Sequence, residues 1–327
     1  MATRMNSFHR YLLKRLVYVL LNLVGLSVVV FCITVVLPGN AAETILGRYA
    51  TPENVATLER ELGLHRPHHV QYLDWVAGFV TGDWGTSFRH NRPVFDLVVT
   101  RGIRSAYLAV ISLVAIVAVS IPAGIIAAVY SESTLDAGIT GLAYVGISVP
   151  EFVTGTGLLV LFAGPVWSVF PAGGYTPLSA GGPVEWASHL VLPVITLTFL
   201  SIAHLVRLTR TEMIETLQSE YVRTARLKGL DERTVVLKHA VRNGLLPTVT
   251  LLAMNVGYLV GGVVVVEEVF AYPGLGRLLV GAVLHRDIPV LQATVLLVAG
   301  IYMFANLGAD LLYTYFDPRI SYGSSAR

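Results

Sequence analysis

Long apolar runs dominate the chain, and six of them are long enough to cross a membrane as helices. A helix needs about 20 apolar residues to span the hydrocarbon core, where every backbone polar group has to be satisfied within the segment. The runs occupy residues 16–37, 106–130, 138–162, 190–208, 245–266 and 290–315. We therefore predict an all-α polytopic membrane protein with six transmembrane helices.

Composition supports a membrane protein and excludes several soluble classes. Hydrophobic residues make up 54% of the chain and charged residues 13%, whereas a soluble domain has about 25% charged residues. The net charge of +2 gives no indication of a nucleic-acid partner. Cys32 is the single cysteine, so a disulfide or thiolate metal site cannot form within one chain. The first run could be a secretory signal, but it exceeds the usual apolar length of about 7 to 15 residues, and we interpret it as a membrane anchor.

Basic residues predict the orientation of the spans. Residues 1–15 contain four Lys or Arg, and the stretch from Arg207, at the end of the fourth run, to Arg242 contains eight, whereas the segment between the third and fourth runs contains none. Because basic residues accumulate on the cytoplasmic side, we expect a multi-pass protein of the inner, cytoplasmic membrane with both termini in the cytoplasm. Residues 38–105 are then an external subdomain, 106–316 a five-helix core, and 317–327 a cytoplasmic tail.

The predicted external subdomain contains two helix signals and an aromatic turn. Thr51 is a suitable N-cap ahead of Pro52, and a second helix is expected over residues 67–80. Trp84 and Phe88 are expected to anchor the following turn at the outer membrane interface. Three histidines lack the cysteine or carboxylate partners of a metal site, so we expect loop histidines and no metal: His65, His68 and His69.

Residues 209–244 predict a helix-turn-helix structure, which we name the bracket. Apolar residues recur every four positions and continue the helix that leaves the fourth span: Met213, Leu217, Tyr221 and Ala225. Gly229 is expected to end this helix, because glycine tolerates the left-handed conformation. Asp231 can cap a second helix with an apolar face of Val235, Val236, His239 and Ala240. A plain basic loop is the alternative, but its exposed apolar stripe would still need a partner.

The segments YVRTARLKG (221–229) and HAVRNGLLP (239–247) resemble the cytoplasmic coupling loop of ATP-binding-cassette importer permeases, in the dipeptide and oligopeptide branch. The wider importer pattern begins with Glu-Ala-Ala, where this chain has Arg-Thr-Ala. The resemblance implies that the bracket inserts into a cleft of a separate ATPase subunit. It also implies the coupling residues, which are Tyr221, Arg223, Thr224, Ala225, Lys228 and Gly229.

Other segments resemble the same family in the same order: residues 62–88, SVPEFVTG (148–155), 266–293 and YTYFDPRI (313–320). The resemblance implies a type I importer permease fold and a chain that forms half of a translocation pathway. It further implies a second homologous permease subunit in a heterodimer, two ABC ATPase subunits that bind ATP and Mg, and an extracytoplasmic substrate-binding protein. This chain itself would hold no cofactor.

The residues favour a transporter over an enzyme. None of the three lysines, Lys14, Lys228 and Lys238, lies in a phosphate-binding loop. An intramembrane hydrolase using Ser148, Glu151 or His204 is a weaker alternative, since no G-x-S-x-G or H-E-x-x-H motif is present. The cargo stays open between peptides, nickel and oligosaccharides, because similar permeases serve all three and the binding protein selects the substrate.

Polar residues within spans are costly and therefore candidates for function. We expect pathway or gate roles for Ser148, Pro150, Glu151, Asn255 and Glu267. Glu151 could meet a substrate amine, or it could pair with a partner subunit or the backbone. Asn255 could instead make an interhelical hydrogen bond. Glu267, at the outer end of the fifth span, is expected to support a gate, with simple exposure to water as the alternative.

Overall fold

The structure is a computed structural model that describes residues 2–36, 41–61, 63–165 and 167–316. Within these ranges the chain is built from α-helices, with a 3-10 turn over Gly47–Tyr49, π-helical segments over Leu159–Ala163 and Val235–Ala240, and one isolated β-bridge. The helices are α1 (Ala2–Val36), α2 (Ala41–Leu46), α3 (Pro52–Glu61), α4 (His68–Thr81), α5 (Val94–Val129), α6 (Thr134–Ser148), α7 (Glu151–Leu158), α8 (Leu178–Leu217), α9 (Glu220–Leu227), α10 (Glu232–Thr234), α11 (Val241–Gly244), α12 (Leu246–Val269), α13 (Leu275–Leu284) and α14 (Ile288–Phe316). The predicted all-α class is confirmed, while the predicted tail 317–327 lies outside the described residues.

Four helical segments are long and apolar enough to cross a membrane: Leu12–Val35, Val94–Val129, Leu178–Leu217 and Ile288–Leu311. A bent pair, Thr134–Ser148 with Glu151–Ala163, makes a fifth if it is one span. The predicted run 245–266 coincides with α12, a helix outside this set. The described residues thus support four or five spans, and the predicted count of six is not confirmed.

The third predicted span, residues 138–162, is not one straight helix. The chain bends by 106° between α6 and the segment that starts with α7. Val149 (φ −101°, ψ 123°) and Pro150 (φ −59°, ψ 144°) are both extended at the break. The cause is local, because proline lacks a backbone N–H and disfavours helical geometry in the residue before it.

Contacts divide the chain into two compact units. One unit comprises Met1–Ser105 with Pro273–Phe304, and the other comprises Ala106–Tyr272 with Ala305–Arg327. The first unit has a buried core of Val94, Val98, Leu275, Leu278, Ala282, Val290 and Ala293. The largest core of the second unit is built from Leu108, Ile116, Leu190, Leu192, Leu197, Leu205, Leu259, Val263, Val266, Phe270 and Tyr272. Whether residues 38–105 form an external subdomain stays a prediction.

The two predicted helices of the first unit are confirmed, and Trp84 packs within the same unit. The Thr51 hydroxyl accepts a hydrogen bond from the Asn54 amide at 3.3 Å as an N-cap, and α4 matches the second predicted helix. The Trp84 ring stacks on Phe79 with centroids 4.9 Å apart, and its indole N–H donates to the Phe79 carbonyl at 2.9 Å. Trp84 therefore packs against this unit's core, and its expected role as an interfacial anchor stays a prediction.

A buried carboxylate holds the turn after Trp84 in place. Asp287, 2% exposed, accepts hydrogen bonds from the Ser87 hydroxyl at 2.5 Å and from the amides of Phe88 and Arg89 at 3.1 and 3.3 Å. Hydrogen bonds to an ionised acceptor are stronger than neutral ones. This carboxylate therefore ties the turn to the connection between α13 and α14.

Small residues bring α6 close to α8 in the second unit. A Cβ added at Gly146 would lie 3.0 Å from the Cβ of Ala203, so a larger residue would push the helices apart. Ala143, Ala203 and Val206 form a buried cluster beside this approach. Small residues commonly serve such close packing between membrane helices.

Candidate functional site

The bracket begins with a break that the sequence pattern did not predict. The helix leaving the fourth span was expected to continue through Tyr221, but α8 ends at Leu217 and Ser219 is extended (φ −68°, ψ 151°) before α9. The break changes which residues of α9 face inward. Val222 is fully buried whereas Tyr221 is 44% exposed, so Tyr221 does not continue one stripe with the buried Met213 and Ala225 as expected.

The turn between α9 and α10 has the predicted chemistry. Gly229 adopts φ +78°, and a Cβ at this position would meet no atom within 4 Å. Backbone conformation, and not crowding, therefore requires glycine here. The Asp231 carboxylate accepts a hydrogen bond from the Thr234 amide at 3.0 Å, which confirms the predicted N-cap. Hydrogen bonds from Thr234 lower the pKa of Asp231 from its ordinary value.

The bracket has a small core of its own. Its buried side chains are Met213, Val222, Ala225, Val235, Val236 and Ala240, packed together with Ala128 of α5. Among the expected coupling residues, Ala225 is thus part of this core and supports the others from within. Gly244 passes close to the same core, since a Cβ there would lie 2.8 Å from the Met213 sulfur.

An arginine clamp closes the bracket. Arg226 donates two hydrogen bonds to the Glu232 carboxylate, at 2.7 and 3.1 Å, and a third to the Leu217 carbonyl at 3.2 Å. The hydrogen bonds from Arg226 lower the pKa of Glu232 and those to Glu232 raise the pKa of Arg226. Sequence reasoning missed this clamp, because its two residues flank a turn and share no helical periodicity.

The outer surface of the bracket is apolar at its tip and basic at its rim. Leu227 is 80% exposed and Leu230 41% exposed, on either side of Gly229. The other expected coupling residues, Arg223, Thr224 and Lys228, are all exposed. Exposed leucines presented by a hydrogen-bonded turn are suited to burial in a partner's cleft. Sequence reasoning gave Leu227 and Leu230 no role, although their apolar character beside the glycine stop was a usable signal.

Among the candidates for the pathway, Glu151 has a carboxylate that is only partly hydrogen-bonded. It is the first residue of α7, directly after the 106° bend. One carboxylate oxygen accepts a hydrogen bond from the Tyr258 hydroxyl at 3.4 Å, and the other is buried without a hydrogen-bond partner in the described part of the chain. Gly262 provides the space, since a Cβ there would lie 3.2 Å from that second oxygen. Sequence reasoning missed Tyr258, which lies 107 residues away.

Ser148 and Pro150, the other two candidates for the pathway in the segment 148–155, lie at the bend. Ser148 is the last residue of α6, and its hydroxyl donates to the Tyr144 carbonyl at 2.8 Å within the same helix. Pro150 is exposed and precedes α7. Both residues therefore lie next to Glu151 in the chain, with Pro150 shaping the bend that places the carboxylate.

Asn255 and Glu267 lie on α12 and do not form one cluster. The Asn255 amide donates to the Leu251 carbonyl at 3.0 Å. This hydrogen bond lies within α12, whereas the alternative stated for Asn255 was a hydrogen bond to another helix. Glu267 is fully buried, which makes exposure to water the wrong alternative. Nine residues separate Tyr258 from Glu267, a distance of about 14 Å along a helix, so Glu267 lies apart from the Glu151 site.

Comparison with known proteins identifies the class to which this helical architecture and bracket belong. The sequence matches the family described as binding-protein-dependent transport system inner membrane component over residues 120–322, and the N-terminal part of such components over residues 8–109. The chain belongs to this family and is a multi-pass membrane component of a transport system. The resemblance inferred from the sequence motifs is confirmed.

Several relatives cover nearly the whole chain. It is 36% identical over 332 residues to the dipeptide transport system permease protein DppB of Alkalihalophilus pseudofirmus, covering 95% of this chain and 99% of that protein. The Escherichia coli K12 protein of the same name is 36% identical over 334 residues, with coverages of 95% and 98%. A putative peptide transport system permease protein of Brucella abortus is 38% identical over 312 residues, with coverages of 95% and 98%.

A solved structure supports the fold. The inward-facing MetNI methionine ABC transporter matches 68% of this chain and 96% of its own chain, with a TM-score of 0.54 and 15% sequence identity. At this identity the match supports the fold alone. The fold is that of a chain from an ABC transporter.

Proposed function

We propose that the chain is a permease subunit of an ATP-driven importer and forms half of a translocation pathway for dipeptides or oligopeptides. The proposal for the cargo rests on relatives named as dipeptide and peptide permeases, which align with 95% of the chain. An external binding protein delivers the peptide, and a second, homologous permease subunit forms the other half of the pathway. Both termini and the bracket lie in the cytoplasm.

The bracket is the observation that carries this proposal. Its tip presents Leu227 and Leu230 to solvent above a buried core, and a basic rim surrounds the tip. This surface inserts into one of two ATPase subunits, which bind ATP and Mg and perform the hydrolysis. Burial of apolar surface supplies the affinity. The clamp from Arg226 to Glu232 keeps the bracket in one shape while it transmits force.

Transport follows an alternating-access cycle in this proposal. ATP closes the two ATPase subunits, the bracket moves with them, and the helix bundle opens to the outside to receive peptide. Glu151 faces the pathway, where its carboxylate meets the peptide amine, and Ser148 and Pro150 shape the bend beside it. Asn255 lies on α12, the helix that also carries Tyr258. The buried Glu267, on the same helix, supports the outer gate.

The proposal is tested by uptake of a radiolabelled dipeptide into proteoliposomes that contain the full transport complex and its binding protein. We expect uptake to require internal ATP and to be lost in Leu227→Asp, because a carboxylate at the tip cannot be buried in an apolar cleft without a large cost. Leu73→Asp is the matched control, since Leu73 is 61% exposed on α4 and is not part of the bracket.

Two results would contradict the proposal in different ways. Uptake of nickel or an oligosaccharide in place of the dipeptide would overturn the cargo and leave the bracket's role intact. Equal uptake by Leu227→Asp and wild type, at equal abundance, would overturn the role of the tip.

A further inference from the structure

A bidentate ion pair joins the start of α6 to α8. Arg210 donates from Nε and Nη2 to the two carboxylate oxygens of Asp136, at 2.6 and 2.7 Å. The Asp136 side chain is 7% exposed and the Arg210 side chain 26% exposed. The pair is therefore largely shielded from solvent screening and has the fork geometry that fixes both distance and angle.

The Asp136 carboxylate is saturated by further donors. It also accepts hydrogen bonds from the Glu132 amide at 3.0 Å and from the Thr140 hydroxyl at 3.1 Å. Together with Arg210 these donors occupy about the four lone-pair sites that a carboxylate offers. The Ser133 hydroxyl in turn accepts from the Asp136 amide at 3.2 Å as the N-cap of α6. Asp136 is thus fixed to its own helix before Arg210 binds it.

A buried ion pair is by itself weak evidence for a gain in stability. Desolvation of two charges offsets much of their attraction, so an apolar pair of similar volume is often equally stable. The fork instead sets one register between two helices, which apolar packing does less strictly. The nearby contact between α8 and α12, from Thr209 to Thr248 at 3.1 Å, is a neutral hydroxyl bond and provides no such orientation.

The position of the pair connects the bracket to the bend. Arg210 lies one helical turn before Met213, which is buried in the core of the bracket. Asp136 begins α6, which ends at the bend before Glu151. The close approach of Gly146 to Ala203 keeps α6 against α8 along the way. The ion pair therefore links α6 to the part of α8 that enters the bracket.

We propose that Asp136 and Arg210 are positioning residues that make α6 follow α8, so that movement of the bracket changes the bend that carries Glu151. This inference rests on the proposed function, since it assigns a path for the coupling within this chain. Neither residue contacts an ATPase or the peptide in this proposal. Their effect is on how much transport each hydrolysed ATP produces.

Arg210→Lys tests the proposal with little risk to folding. Lysine keeps the positive charge beside Asp136 but replaces the rigid fork with a single flexible ammonium. We expect peptide transported per ATP hydrolysed to fall by roughly tenfold, in the range of a lost charge-assisted hydrogen bond. The amount of assembled complex and its melting temperature should stay close to wild type. Asp136→Asn, which keeps the shape and removes the charge, should lower the same ratio.

The control is an ion pair of the same residue types at an exposed position. Arg66 and Asp74 are 3.0 Å apart with side chains 54% and 61% exposed, so Asp74→Asn should leave the transport ratio unchanged. An unchanged ratio in Arg210→Lys, with any loss of uptake matching a loss of assembled complex, would show a structural role only and overturn the inference. Absence of ATP-dependent peptide uptake in wild type would instead overturn the proposed function.

Discussion

Substitution of Gly229 perturbs the bracket through its backbone alone. The residue has φ +78° and no atom of its surroundings lies within 4 Å of an added Cβ, so a Cβ would not clash with other parts of the chain. Valine nevertheless disfavours the left-handed conformation, because its branched Cβ crowds the backbone. Asparagine is the matched control, since it adopts this conformation far more readily than other non-glycine residues.

The expected size of the effect follows from this geometry. A side chain in the left-handed region costs roughly 1 to 2 kcal/mol, and a change of 1.4 kcal/mol shifts an equilibrium about tenfold. With no steric contribution, Gly229→Val should raise the population of locally opened bracket by about tenfold, and Gly229→Asn by much less. The turn from α9 to α10 should open first, because Gly229 lies two residues before Asp231, the N-cap of α10.

Hydrogen exchange of the purified complex measures this opening directly. Amides of the turn should exchange faster in Gly229→Val and close to the wild-type rate in Gly229→Asn. Dipeptide uptake per ATP hydrolysed should fall in the same order. Unchanged exchange in the valine variant, or equal effects of valine and asparagine, would refute the reasoning from backbone conformation.

Three further substitutions probe other contacts. Gly244→Ala should destabilise the bracket by about 1 to 3 kcal/mol through overpacking, since the new methyl would lie 2.8 Å from the Met213 sulfur, and hydrogen exchange of the bracket measures this. Asp287→Asn should loosen the turn that this carboxylate holds, seen as faster limited proteolysis there with the rest of the chain unchanged. Glu151→Gln should reduce dipeptide uptake whereas the exposed Glu268→Gln should not, and equal uptake would exclude a pathway role for Glu151.

Local signals explain what could be predicted from the sequence. Apolar length located the long helices, and the chemistry of Gly229 and Asp231 located the turn and cap of the bracket, because each depends on residues within one or two turns. Pro150 is a local signal for a break in the third span, because proline disrupts helical geometry. The size of that break, 106°, depends on what the two helices pack against and has no signature in the local sequence.

Contacts between distant residues explain most of what was missed. Arg210 meets Asp136 across 74 residues, and Tyr258 meets Glu151 across 107. Each is a polar residue whose partner becomes evident only when helices are packed. The expected single stripe through Tyr221 failed for a related reason, since the break at Ser219 changes the phase of the helical pattern.

The most direct test of the central claim is co-purification of the transport complex in mild detergent, from cells that produce this chain with the other subunits of its transport system. Wild type and an Arg223→Glu, Gly229→Val double variant are compared side by side. The account predicts that a second permease and ATPase subunits accompany wild type, and that the variant retains the permease but loses the ATPases. Equal retention of ATPases by both proteins, or their absence from both, would contradict the bracket as the coupling element.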